Sequence, residues 1–398
     1  MNNGKIGLFV AVIIGLNAMV GAGIVTTPAL MSHHVGPAGV LSYVFSVLVV
    51  LCMVLSLGKL STRHPGKGWT YHYPKLIGGH ALGMFSSVCY IVGITIAMAF
   101  VAQQSGLWLS EIFPSLSGTV TPAMWTILVM FILTSLVLAG AEVSSIGQYI
   151  IAAIVVVSLL LTSFVCLFHL DLDLMFPIAP YGVGSVISAA PKALFAMIGF
   201  ESVVSLYSII RDPERNVERA GVLSVIAVGA LYILFSGSIL VSVAPSYFTN
   251  GIETSLPTVL AAAFPQYSFL PVAVFLGGFF AIVGTLHSII WSTSTLLRDV
   301  VDQSKSASQL GAFSSTIIVG LAMTIAALGL SGSILVSAGV AVLSISYVLA
   351  VLPMLTESLG EKRIAASVRP AFAVLGGCVM IYCSLQPILH TLTIAAAS

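Results

Sequence analysis

The sequence predicts an all-α membrane protein that crosses the bilayer many times. Of its 398 residues, 58% are hydrophobic and only 7% are charged, and the mean hydropathy is +1.12. An ordinary soluble domain carries about 25% charged residues, so the 14 basic and 13 acidic residues cannot cover a soluble surface of this size. The composition therefore excludes a soluble enzyme, a nucleic-acid binder and a disordered scaffold. The net charge of +1 provides no field for a polyanion.

Eleven segments are long and apolar enough to be membrane helices, each of which needs about 20 mainly apolar residues. Short polar connections with proline or glycine separate them, so we expect one membrane-embedded unit over residues 1–398. The first apolar run is too long for a cleavable signal peptide. The predicted spans are 6–31, 38–60, 82–109, 122–140, 145–168, 188–210, 220–243, 268–297, 311–329, 333–355 and 369–391.

The distribution of lysine and arginine orients these spans. With the N-terminus in the cytoplasm, thirteen of the fourteen basic residues fall on the cytoplasmic side, and Lys192 is the exception. Positive residues concentrate in cytoplasmic loops, so the sequence predicts a multi-pass cell (inner) membrane protein with a cytoplasmic N-terminus and an external C-terminus. The five cysteines lie in apolar runs without metal-ligand spacing, and we expect no disulfide framework, metal or cofactor.

Spans 1 and 6 both carry signs of a broken helix. Span 1 contains Gly21 and Gly23 with Pro28 shortly after, and span 6 contains Gly199 followed by Glu201. Non-helical backbone within a membrane is tolerated where it lines a cavity or is covered by protein. The alternative for Gly-x-Gly alone is a close helix–helix contact.

The two interruptions stand at corresponding places in two five-helix halves, 6–168 and 188–355, with an extra helix at 369–391. Glycine-interrupted segments at corresponding positions are the sequence pattern of a transporter built from inverted repeats, and their free N–H and carbonyl groups would bind carboxylate and ammonium. A charged group such as Glu201 at the bilayer centre costs several kcal/mol and usually marks function. The alternative is a protonated carboxyl bonded to neighbouring backbone.

Three sequence blocks resemble the amino acid–polyamine–organocation (APC) superfamily, in its order and at its spacing. They are Asn17–Ile24 followed by Pro28, the loop 64–73 with its proline, glycines and tyrosines, and the loop 212–220 with Pro-x-Arg-Asn-Val-x-x-Ala. The resemblance extends from span 1 through span 10. It implies a LeuT-type fold of two inverted five-helix repeats, with helices 1 and 6 unwound at mid-membrane. Many relatives have a twelfth span, which this chain lacks.

The resemblance also implies roles for single residues. Phe195 is similar to an aromatic lid over the substrate, and Glu201 to a glutamate linked to proton-sensitive gating. Tyr90 is a second aromatic candidate, because its polar tip needs a partner when buried. The predicted substrate-binding residues are Ala18, Met19, Gly21, Ala22, Gly23, Ile24, Tyr90, Phe195, Ile198 and Gly199.

Three further residues are candidates for coupling transport to a sodium ion or a proton. Thr285 and Ser288 share one face of span 8 at i, i+3, where sodium-coupled relatives hold a cation; the alternative is that both hydroxyls bond their own helix. His287 joins Glu201 as a candidate for proton coupling or gating, or it is a neutral histidine that bonds across helices. Some proton-coupled relatives use a lysine in span 5, and this sequence has none there.

The function expected is a secondary active transporter of small, neutral L-amino acids that works by alternating access, proton-linked or by exchange. The alternatives are a cationic amino acid or polyamine antiporter, or an amino acid exporter, of the same fold. A membrane-embedded enzyme would need clustered His, Asp or Glu on facing spans, and a channel would need a repeated filter or a ring of charges. The sequence shows neither feature. The expected partners are an amino acid, a proton or sodium ion, the lipid bilayer and a second copy of the chain, but no nucleic acid.

Overall fold

A computed structural model describes residues 5–32, 35–65, 68–116, 118–140, 145–207, 209–248, 255–303 and 310–397. In these ranges the regular structure is helical, apart from one bridged residue pair, Ile6 and Ile210. The predicted all-α multi-pass architecture is therefore confirmed. Gly66 and Lys67 of the second sequence block, and Lys305 of the predicted cytoplasmic charges, lie outside the described residues.

Fifteen α-helices follow one another in the described parts of the chain. They are α1 (Leu8–Met19), α2 (Ala22–Ser32), α3 (Gly39–Arg63), α4 (Trp69–Ile112), α5 (Pro122–Leu138), α6 (Ser145–Phe168), α7 (Leu172–Met175), α8 (Val183–Ala196), α9 (Ser202–Ser205), α10 (Pro213–Leu240), α11 (Leu256–Ala263), α12 (Phe269–Gln303), α13 (Ala312–Gly329), α14 (Gly332–Gly360) and α15 (Ile364–Ala397).

Each of the eleven predicted spans coincides with a helix or a broken helix. Eight helices within the described residues are individually long and apolar enough to cross a membrane, namely α3, α4, α6, α10, α12, α13, α14 and α15. The pair α1 and α2 forms a ninth candidate span, bent by 46°. The two remaining predicted spans coincide with the shorter apolar helices α5 and α8, of 17 and 14 residues.

Two predicted boundaries need correction. Helix α4 begins at Trp69, thirteen residues before the predicted start of span 3 at residue 82. Gly79, with a φ of +66° and a ψ of −163°, is non-helical and divides α4 into two helical segments. The segment we expected to be a connecting loop is therefore largely helical, and the second segment begins close to the predicted start of span 3. Span 6, expected as one stretch over 188–210, begins at Val183 and leaves the helical conformation after Ala196.

Small residues allow the helices to cross closely. A Cβ atom on Gly339 of α14 would lie 2.8 Å from the Ala97 Cα of α4, and one on Gly277 of α12 would lie 2.5 Å from the Ser158 Cβ of α6. Such approaches are the usual means of helix association where lipid removes the hydrophobic driving force. Outward-facing Phe131, by contrast, is 69% exposed, as expected of a side chain that contacts lipid.

The two ends of the helical bundle differ in their polar contacts and in the helix connections that they carry. At one end, the backbone of Ile6 pairs with residues 209 and 211, and Arg63 at the end of α3 forms a 2.5 Å ion pair with Glu357 near the end of α14. We call this end the N-terminal face. The end that carries the α4–α5 and α13–α14 connections is the opposite face.

Candidate substrate site

The break in span 1 separates α1 from α2 at Val20 and Gly21. A helix end leaves backbone carbonyls without intrahelical partners, and one of them is satisfied from outside the span. The hydroxyl of Tyr232, a fully buried residue of α10, donates to the Met19 carbonyl at 2.9 Å. Span 7 therefore supports the break directly, which the sequence did not indicate.

The two glycines of span 1 face different neighbours. A Cβ atom on Gly21 would lie 2.8 Å from the Thr285 Oγ1 of α12, whereas one on Gly23 would lie 2.5 Å from the Ala196 Cα at the end of α8. Gly23 thus allows spans 1 and 6 to touch, and Gly21 allows span 1 to approach span 8. Ala22 begins α2, but its side chain lies outside the described part of the chain.

The break in span 6 runs from Met197 to Glu201, between α8 and the short helix α9. Gly199 has a φ of +110°, a backbone conformation that side chains with a Cβ atom rarely adopt. It also lies directly against the Ala18 carbonyl, so a Cβ atom there would collide with that oxygen. The break in span 6 therefore lies against the last turn of α1, where Gly199 contacts the Ala18 carbonyl.

Glu201 is buried, with 2% of its surface exposed, and its carboxyl group connects several elements. Oε1 accepts a hydrogen bond from the Tyr90 hydroxyl of α4 at 2.8 Å, and Oε2 accepts one from the Gly199 N–H at 3.2 Å. The Tyr347 ring of α14 lies close by, with its centroid 6.4 Å from the centroid of the Tyr90 ring. Predicted residues Tyr90, Gly199 and Glu201 are thus brought together, and Tyr347 joins them.

Aromatic rings enclose this carboxyl on the side of the N-terminal face. Trp69 is the first residue of α4. Its ring centroid lies 5.2 Å from the centroid of the Tyr90 ring, and it stacks on the Tyr347 ring at a centroid distance of 5.9 Å. The Phe200 ring also packs on the Tyr347 ring, with the two centroids 4.8 Å apart. The sequence analysis missed Tyr347, although a tyrosine in the middle of a span also needs a polar partner.

Phe195 lies on the other side of the break, at the end of α8. It is 3% exposed and packs edge-to-face on Phe100 of α4, with the ring centroids 5.5 Å apart. Nearby, Lys192 of α8 donates to the Leu30 carbonyl of α2 at 3.4 Å. The halves of spans 1 and 6 on the opposite face are therefore in contact as well. Ile24 and Ile198, also predicted for the site, are both buried.

The predicted cation ligands are only partly assembled. Thr285 is 5% exposed, it lies beside Gly21, and its Oγ1 has no hydrogen-bond partner within the described residues. Ser288 and His287 are half-buried on the same helix. Within the described residues, the Glu201 carboxyl accepts hydrogen bonds from the Tyr90 hydroxyl and the Gly199 N–H.

Two broken helices that meet within an all-α membrane bundle, with a buried carboxyl beside them, are the arrangement expected of a membrane transporter. Comparison with known families agrees with this class. The family model described as "Amino acid permease" matches residues 6–355. The chain belongs to the amino acid permease family of the APC superfamily, as its sequence blocks indicated.

Relatives in this family carry several names. An uncharacterized transporter of Mycobacterium tuberculosis is 26% identical over 307 residues, which cover 73% of this chain and 64% of the relative. The vacuolar cationic amino acid transporter 2 of Arabidopsis thaliana is 26% identical over 280 residues, 65% of this chain and 43% of the relative. The methylthioribose transporter of Bacillus subtilis is 22% identical over 240 residues, 56% of this chain and 52% of the relative. The matched parts therefore span less than two thirds of these relatives.

Proposed function

We propose that the chain is a secondary transporter of small, neutral L-amino acids that works by alternating access across the cell membrane, with its N-terminus in the cytoplasm. The observation that carries the proposal is the contact of the span 6 break with the last turn of α1, where Ala18 and Gly199 meet. A broken helix presents N–H groups at the start of one half and carbonyls at the end of the other. An amino acid carries the complementary pair, a carboxylate and an ammonium group.

The start of α2 is the proposed site for the substrate carboxylate. Helix N-termini attract anions through their free N–H groups and the helix dipole, and the residues that open α2 include Gly23. The ammonium group would face the carbonyls at the end of α1. Tyr232 already satisfies the Met19 carbonyl, which supports the Ala18 carbonyl, next to Gly199, as the acceptor that the substrate meets.

Two aromatic contacts on α4 support alternating access. Tyr90 belongs to the ring cluster below the breaks, on the side of the N-terminal face, and Phe100 receives Phe195 on the other side. Ten residues separate Tyr90 and Phe100, or about 15 Å along a helix. The breaks therefore lie between two closures, and opening one at a time would expose the site to one face at a time.

Glu201 is the proposed proton-linked group. As a carboxylate it accepts the hydrogen bonds of Tyr90 and Gly199, which belong to a neighbouring span and to the break itself. A protonated carboxyl has lost part of this acceptor capacity and gained a donor. Proton binding would therefore loosen the closure on the N-terminal face. Thr285 beside Gly21 is the proposed cation ligand if sodium couples transport instead.

A cationic amino acid is the second candidate substrate. The similarity to a cationic amino acid transporter of Arabidopsis favours it, and so does the combination of a carboxyl with aromatic rings, which attracts cations. Against it, protein groups already engage both oxygens of Glu201 in this structure. A neutral side chain needs no such partner, and we therefore place neutral substrates first.

Uptake and counterflow in proteoliposomes test this function. A panel of labelled neutral and cationic amino acids is measured with imposed proton or sodium gradients and in exchange mode. We expect neutral amino acids to move, with a proton gradient or a counter-substrate increasing their rate. Transport of arginine and lysine alone would select the second candidate. If no amino acid or amine moves in any condition, the proposal is wrong.

A further inference from the structure

A cavity of about 500 Å³ lies at the opposite face, away from the two breaks. It is formed where the last turns of α4 and α13 meet the first turns of α5 and α14, and its lining includes Gln103, Gln104, Ala123, Ser331 and Gly332. Its size is within the range of small-molecule sites. The lining residues carry no charged side chain, so the polarity of the cavity depends on backbone, amide and hydroxyl groups.

The start of α14 supplies hydrogen-bond donors to this cavity. Ser331 is the N-cap residue of α14, and no side chain caps the first N–H groups of this 29-residue helix. Helix α5, which starts beside it, differs because its N-cap residue Thr121 accepts a hydrogen bond from the Met124 N–H. An uncapped helix N-terminus attracts negatively charged oxygen atoms.

Gln103 occupies two backbone carbonyls that lie beside the cavity. Its amide nitrogen donates to the carbonyls of Ala327 at 3.2 Å and Leu330 at 3.4 Å, at the end of α13. The negative end of the α13 dipole is thereby partly neutralised beside the cavity.

Gln104 provides the second and independent observation. Its side chain is 2% exposed and lines the cavity, and its amide nitrogen has no hydrogen-bond partner within the described residues. Buried polar groups in native proteins are nearly always paired. An unpaired N–H₂ group beside an uncapped helix start is the pattern expected of a site whose ligand supplies the missing acceptor.

We propose that this cavity binds an anionic oxygen group, either the carboxylate of a small organic molecule or the phosphate of a lipid head group, between Gln104 and the N-terminus of α14. An uncharged amide or alcohol of the same size binds less tightly, because it lacks the charge that the helix N-terminus attracts. The site is separate from the breaks of spans 1 and 6 and does not depend on the proposed transport function.

The test measures the binding of hexanoate by saturation-transfer NMR to the full chain, in phosphate-free detergent and in phosphatidylcholine nanodiscs, with hexanamide as the neutral comparison. Gln104→Glu places a negative charge in the site, and Ala123→Trp fills the cavity from its exposed rim. Met124→Trp is the matched control, because Met124 is the next residue, is 53% exposed and does not line the cavity.

We expect hexanoate to bind at least about tenfold more tightly than hexanamide in detergent, and both Gln104→Glu and Ala123→Trp to weaken it by about tenfold or more, which equals about 1.4 kcal/mol. Met124→Trp should bind as the wild type does. Binding that persists in nanodiscs assigns the site to a soluble carboxylate, and binding that disappears there assigns it to the lipid phosphate. Absence of hexanoate binding in detergent, or binding that Ala123→Trp leaves unchanged, would overturn the proposal.

Discussion

The Tyr90 hydroxyl donates a 2.8 Å hydrogen bond to the Glu201 carboxyl, which joins the middle of α4 to the break in span 6. The other oxygen of this carboxyl accepts the N–H of Gly199, two residues earlier in the chain. One titratable group thus fixes both the local shape of the break and its contact with a neighbouring span. A ligand or proton shifts a conformational equilibrium only by its differential affinity for the two states, and Glu201 is placed to provide that difference.

Replacing Glu201 with glutamine should remove most of the pH dependence of transport. The glutamine preserves the shape of the side chain but cannot ionise, so we expect substrate exchange to continue with a nearly flat pH profile. Counterflow measured between about pH 5 and about pH 8 checks this. Tyr90→Phe is the control, because it removes one hydrogen bond but leaves the titratable group, and it should retain a pH-dependent rate. A Glu201→Gln profile identical to that of the wild type would exclude this role for Glu201.

Replacing Gly199 with alanine should destabilise the protein and abolish substrate binding. The left-handed backbone conformation costs about 1–2 kcal/mol for a residue with a Cβ atom, and the new methyl group would also meet the Ala18 carbonyl. Gly182→Ala is a matched control, since Gly182 also has a positive φ, of +82°, but open space around it. Thermal unfolding in detergent and counterflow check both variants. If the two lose stability equally and both still bind substrate, the contact with Ala18 has no functional importance.

The sequence predicted the spans well because membrane helices have a strong local signal. A run of about 20 apolar residues is recognisable on its own. A glycine pair in span 1 and a single glycine beside a mid-span carboxyl in span 6 identified the two breaks. The helical segment 69–78 that precedes the non-helical Gly79 was missed, whereas the segment after Gly79 begins close to the predicted start of span 3. Hydropathy gives the apolar length of a helix, and a helix that continues past the membrane has no apolar signal there.

The partners of the breaks could not be predicted in the same way. Glu201 meets Tyr90, 111 residues earlier, and Tyr232 meets the Met19 carbonyl, 213 residues earlier. Such pairs depend on helix rotation and crossing angle, which are set by packing across the bundle. Gly23 illustrates the ambiguity, because its close approach to Ala196 matches the helix-contact alternative as well as a binding role.

Replacing Thr285 with alanine should weaken coupling to a cation if sodium drives transport. Its hydroxyl is buried beside Gly21 without a hydrogen-bond partner in the described structure, so its removal costs no existing hydrogen bond, and the fold should be retained. Thr293→Ala is the matched control on the same helix, with a similarly buried and unpartnered hydroxyl. Uptake as a function of sodium concentration checks this. Equal sodium dependence in the two variants would remove Thr285 from the site.

Replacing Phe195 with leucine should weaken apparent substrate affinity while preserving the fold. Leucine keeps the apolar character of this buried position but loses the edge-to-face contact with Phe100, which is worth about 0.5–1.5 kcal/mol. If that contact closes the site on the opposite face, its loss favours the open state, and KM for counterflow should rise by roughly threefold to tenfold. Phe275→Leu is the control, because Phe275 lies on α12 and packs on Trp108 at 6.0 Å, another aromatic pair with α4. An equal change in KM for both variants would mean that the Phe195–Phe100 contact serves helix packing alone.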